Sequence, residues 1–208
     1  VLPRKEKNMT ELFRRLRGSG TPVAVYYKTT GGFCTGFVRE ADDEFLAMEF
    51  ISPVGKFDGY HCIRQEEILK MDAGTQYLSN LARVYRHYGE ALPPFKISSK
   101  NVLESFIDSL ARNRRLCTME IGFDSIEKIS GYVAGRDWNI VQIRLMDENG
   151  RPDGYTEIDT EAIVCIDTES EYERYLEALS SLEGGEPDKG RKKKDGEGEN
   201  VISFPFGK

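Results

Sequence analysis

Displaced against itself by 95 residues, this chain of 208 residues repeats its own pattern. Gly36 falls on Gly131, Asp42 on Asp137, and Asp58-Gly59-Tyr60 on Asp153-Gly154-Tyr155. Ile63, Glu66 and Ile68 then meet Ile158, Glu161 and Ile163, and Asp72, Tyr77 and Leu81 meet Asp167, Tyr172 and Leu176. Thirteen of the 46 positions from 36 to 81 are identical, where average composition would give about three. Other positions keep their apolar character, as in Phe37/Tyr132, Leu46/Val141, Met48/Ile143 and Phe50/Leu145. Two copies of one structural unit account for this self-similarity.

Each unit reads as helix, five short strands and helix. In the first, Asn8 or Thr10 caps a helix carrying Leu12, Phe13 and Leu16, which Gly18-Ser19-Gly20 ends. Strands follow over Val23 to Lys28, Phe33 to Glu40, Phe45 to Ile51, Phe57 to Arg64 and Ile68 to Met71. Thr30-Gly31-Gly32, Asp42-Asp43-Glu44 and Pro53-Val54-Gly55 mark their turns. Leu46, Met48 and Phe50, like Val141, Ile143 and Leu145, alternate as one buried face requires. The second unit opens with a helix from about Ser99 to Arg112, and Thr168 with Glu171 makes a capping box for its closing helix. These readings predict a first unit over 1–92, a second over 93–182 and a disordered tail over 183–208.

The composition narrows the chemistry. A net charge of −6 excludes a polyelectrolyte coat for nucleic acid. No apolar run is long enough to span a bilayer, and a cytoplasmic protein without a leader is the expectation. His61 and His87 are not spaced as a metal pair, and no nucleophile-elbow context lies near them. Cys34, Cys62, Cys117 and Cys165 form no CxxC or CxxH pair, so neither a metal, a cofactor nor a redox pair is expected. They read as reduced core thiols. Asp58-Gly59 and Asp153-Gly154 read as turns rather than repeated catalytic acids, and no enzyme is expected.

A helix followed by five bent strands, with Gly36 in the second and Asp42 before the third, resembles the Sm/Hfq-type fold. The stretch Val23 to Gly31, Cys34 to Val38, Asp42 and Phe45 to Phe50 is similar to the family's first motif. Ile63-Arg64-Gln65-Glu66-Glu67-Ile68 is similar to its second motif, with Gln65 in place of glycine. Gly131, Asp137 and Ile140 to Leu145 keep the first motif in the second copy, where Asp159 stands in place of the arginine. The resemblance implies a mainly β fold with flanking helices (α+β): two tandem Sm-like small β-barrels, each helix–five strands–helix. It also implies that loops after strands two and four hold single-stranded RNA, here at Glu44 and Asn139 and at Arg64 and Asp159. Of these only Arg64 keeps the family's chemistry. Leu46 and Val141 stand where the uridine-reading asparagine would, so a uridine pocket is not expected.

Two basic clusters end the helices that open the units: Arg14, Arg15 and Arg17, and Arg112, Arg114 and Arg115. They read either as solvated cations complementing a helix dipole or as phosphate-binding patches. The tail ends in an apolar cluster, Val201, Ile202, Phe204 and Phe206, suited to adding a strand to a sheet edge or to docking in a groove. The leading expectation is a non-enzymatic binding protein with RNA as its partner, working as a homo-oligomer whose strands four and five pair between units. The alternative is a protein-interaction or scaffold module acting through barrel edges and the tail.

Overall fold

A computed structural model describes residues 4–28, 32–92, 95–122 and 126–182. The tail, with Val201, Ile202, Phe204 and Phe206, lies outside the described residues, as do Thr30-Gly31. The first half runs α1 (Arg4–Leu16), β1 (Pro22–Tyr27), β2 (Cys34–Ala41), β3 (Phe45–Ile51), β4 (Phe57–Arg64), β5 (Ile68–Ala73) and α2 (Gln76–Tyr88). The second half repeats this as α3 (Val102–Asn113), β6 (Leu116–Ile121), β7 (Glu127–Asp137), β8 (Ile140–Met146), β9 (Pro152–Asp159), β10 (Ile163–Thr168) and α4 (Glu171–Leu182). In each half a single 3₁₀ turn, Gln65–Glu67 or Thr160–Ala162, joins the fourth strand to the fifth.

The fold is mainly β, but the expected pair of closed barrels is not formed. All ten strands make one open antiparallel sheet in the order β5-β1-β2-β3-β4-β10-β6-β7-β8-β9. Closing a five-stranded barrel would require each fourth strand to meet the fifth strand of its own half. Instead β4 gives its outer edge to β10, the fifth strand of the other half. One edge satisfies the other, and the sheet continues where two barrels were expected to end.

The repeat is visible in the register. Val23 faces Gly36, and Cys117 faces Gly131. Gly36 in turn faces Phe50, and Gly131 faces Leu145. A Cβ on Gly36 would sit 2.1 Å from the Glu49 carbonyl oxygen, and one on Gly131 would sit 2.3 Å from that of Arg144. Both positions are glycine because the neighbouring strand crosses too closely for any side chain.

Two cores follow. Phe13 of α1 packs on Val23, Val25, Leu46, Met48 and Ile63. Phe106, Ile107 and Leu110 of α3 pack on Met119, Val141, Ile143 and Ile158, together with Phe45, Ala47, Tyr60 and Cys62 from the first half. The second core therefore draws on both halves, which ties them through burial as well as through the sheet. Three of the cysteines are buried and Cys34 is half-buried; all four are free thiols. Burial lifts the Cys34 thiol to about 11, so it stays protonated at neutral pH. No helix among the described residues is long and apolar enough to cross a membrane.

Candidate assembly interface

The seam between the halves is built from four backbone pairs: Tyr60 with Thr168, His61 with Asp167, Cys62 with Ile166 and Ile63 with Cys165. Three side chains fasten it. Asp58 was expected in a turn but lies within β4, where its Oδ1 accepts from the backbone N–H of Glu171 at 3.0 Å. It thus caps the first turn of α4, where unpaired N–H groups favour a carboxylate. Tyr60 stacks on Phe95 with centroids 4.7 Å apart, and Phe95 packs edge-on against Phe106. Arg64 donates through Nε to the Ile163 carbonyl at 2.9 Å, and through Nη2 to those of Thr160 and Glu161 at 3.0 and 3.1 Å. Its guanidinium lies 4.6 Å from the centroid of the Phe45 ring.

The repeat places the same strands at the two open ends of the sheet. Among the described residues β9, which repeats β4, pairs only with β8, and β5, which repeats β10, pairs only with β1. Their exposure shows what the seam buries. Tyr60 is 2% exposed and its counterpart Tyr155 is 56% exposed, while Leu69, counterpart of Val164 at 6%, is 63% exposed. Gly59 and Gly154 share a left-handed backbone, with φ of +93° and +84°. A Cβ on Gly59 would strike the Thr168 carbonyl oxygen at 2.3 Å, whereas in front of Gly154 there is nothing within 4 Å. β9 thus shares with β4 the left-handed glycine, but at an edge that no other described strand pairs.

In each half the loop after the second strand is bonded to the turn after the fourth. Gln65 N donates to Glu44 O, and Thr160 N to Asn139 O, both at 2.7 Å. Asn139 Nδ2 also donates to Asp159 at 3.2 Å. Leu46 and Val141, at the positions of the missing asparagine, are fully buried. Arg64, however, is turned into the seam. Arg14 is bonded to Asp43 at 3.1 Å, Arg15 to Glu11 at 3.3 Å and Arg17 to Glu40 at 2.8 Å. Arg115 is buried against Glu169 at 3.1 Å and the Phe95 ring. Arg114 takes the left-handed conformation that closes α3, and Arg112 reaches Ser109 at 3.5 Å. Arg14, Arg15, Arg17 and Arg115 thus each have a carboxylate partner.

Three features escaped the sequence reading. Tyr155 and Leu69 became conspicuous only once their seam counterparts were seen to be buried. Trp138, the only tryptophan, is 89% exposed at the β7–β8 turn with φ of 48°. His61, Cys165 and Asp167 come together across the seam although 106 residues separate the histidine from the aspartate. An isolated sequence carries no spacing signal for the last group, because its proximity depends on which strands pair. Comparison with protein-family models, curated proteins and solved structures finds no match.

Proposed function

We propose that this protein is a non-enzymatic assembly module that pairs β9 of one copy with β5 of the next. The observation that carries this reading is the internal seam, which is already one instance of the contact. Carried 95 residues along, its register pairs Ile158 with Lys70, Glu157 with Met71, Thr156 with Asp72 and Tyr155 with Ala73. Ala73 and Gly74 of the second copy then fill the space before Gly154, as Thr168 and Glu169 fill it before Gly59. Asp153 caps α2 of that copy as Asp58 caps α4. The between-unit pairing of strands four and five is what the Sm/Hfq-type resemblance implies, and that kinship forms part of the proposal. Such a contact is heterologous, so it propagates until a ring closes.

Light scattering tests this directly. The full chain is expected at an integer multiple, two or more, of 23.6 kDa. The double variant Leu69→Lys, Tyr155→Lys places cations on both open edges and should return it to 23.6 kDa with unchanged circular dichroism. Wild-type protein that stays monomeric at high concentration overturns the proposal.

Nucleic-acid binding is the second reading, and Trp138 favours it. An exposed indole on the loop after the second half's second strand offers a stacking surface for a base. Asp42, Asp43, Glu44 and Glu104 line the same hollow as Trp138 and oppose phosphate, against the two cations Arg14 and Lys100. Because Trp138 is the only tryptophan, its emission reports on a titration with single-stranded oligonucleotide. Unchanged emission at low salt is expected from the assembly reading. Saturable quenching that weakens with salt and disappears in Trp138→Ala would establish the RNA reading instead.

A further inference from the structure

We propose that His61, Cys165 and Asp167 form a binding site for a divalent cation of the zinc class, set across the seam between the two halves. The pairing of β4 with β10 puts His61 opposite Asp167. Cys165, two residues before Asp167 on the same strand, projects to the same side of the sheet. One ligand atom from each of the three residues lies within 4.8 Å of the other two. A nitrogen, a sulfur and an oxygen converging in this way suit a borderline cation. Calcium and magnesium take oxygen ligands almost exclusively.

His61 is almost wholly buried, and its Nδ1, the ring nitrogen that lies against the Asp167 carboxylate, is the one placed to share an ion with it. The ring is walled by Phe50, stacked at 4.3 Å, and by Tyr27, with centroids 5.8 Å apart. This aromatic wall keeps water from the imidazole, while the half-buried Asp167 leaves a route for the ion.

Charge also balances. As the sulfur–metal bond forms, the Cys165 thiol releases its proton to solvent, and the thiolate with the Asp167 carboxylate neutralises a doubly charged ion. Bound there, it would join β4 of the first half to β10 of the second.

Metal content and cobalt spectroscopy on the full chain, prepared without a metal-affinity tag, test the site. One equivalent of zinc per chain is expected. Cobalt exchange should give the near-ultraviolet thiolate-to-cobalt band of a coordinated cysteine, absent in Cys165→Ser. Since that variant removes a core side chain, the wild type supplies the second measurement: chelation should lower its melting temperature and stoichiometric zinc should restore it. Asp167→Asn should weaken zinc affinity by tenfold or more. Folded wild-type protein that takes up neither metal overturns the proposal, as does a cobalt spectrum without the thiolate band. The edge variant Leu69→Lys, Tyr155→Lys should bind the same equivalent, which keeps this outcome separate from the assembly.

Discussion

Gly59→Ala is expected to destabilise the protein by about 3 kcal/mol or more, and Gly154→Ala by only about 1 kcal/mol. The two glycines share the left-handed backbone, so the conformational penalty of adding a side chain is common to both. They differ in what stands before them. At Gly59 the new methyl would meet three backbone atoms of the paired strand end, the Thr168 oxygen at 2.3 Å, the Ser170 nitrogen at 2.7 Å and the Glu169 carbonyl carbon at 2.8 Å. None of these is the free end of a flexible side chain, so β4 and β10 must move apart. That movement also disturbs the Asp58 cap, because it lies one residue away. At Gly154 the methyl enters open space, and its effect falls on assembly. Urea denaturation measures the first difference and light scattering the second. A wild-type midpoint for Gly59→Ala would show that the close approach is dispensable. A full-sized assembly of Gly154→Ala would count against edge pairing.

Arg64→Ala should cost about 2–3 kcal/mol, the scale of losing charge-assisted hydrogen bonds at a mostly buried site. Three carbonyls of the second half, those of Thr160, Glu161 and Ile163, lose their donor together, and Phe45 loses the guanidinium above its ring. Lysine should recover less than half of this, because an ammonium lacks the planar fork that reaches several carbonyls at once. Thermal or urea unfolding reads the loss. The repeat counterpart, Asp159, makes no such clamp but caps the Thr160–Ala162 turn, its Oδ1 accepting from the Glu161 N–H at 3.0 Å, so Asp159→Ala should cost about 1 kcal/mol, less than Arg64→Ala. If Arg64→Ala melts with the wild type, the clamp does not hold the seam.

Much of the architecture was legible in residue order. The repeat offset, the alternation of Leu46, Met48 and Phe50, and the apolar spacing of Phe106, Ile107 and Leu110 located the first half's five strands and the helix that opens the second half to within a few residues. The edge argument anticipated that fourth and fifth strands would pair between units. Barrel closure was misjudged because each strand's local pattern is the same whether β4 meets its own fifth strand or that of the other half. The place of Arg64 was hidden for a related reason. A lone arginine at a turn looks solvent-facing until its acceptors, 96 to 99 residues onward, are in place. The partners of Arg14 and Arg17 were hidden likewise, since Asp43 and Glu40 reach them from the sheet rather than along the helix.

Periodicity and self-similarity are properties of neighbouring residues, and they were sufficient for the duplicated order of helix, five strands and helix. The pairing of β4 with β10 is a property of edges. Backbone N–H and C=O groups are identical along every strand, so a sequence does not state which two edges share hydrogen bonds. That choice turned two expected barrels into one sheet and drew Arg64 inward. It also brought His61, Cys165 and Asp167 within 4.8 Å of one another, and left β9 and β5 as the ends of the sheet.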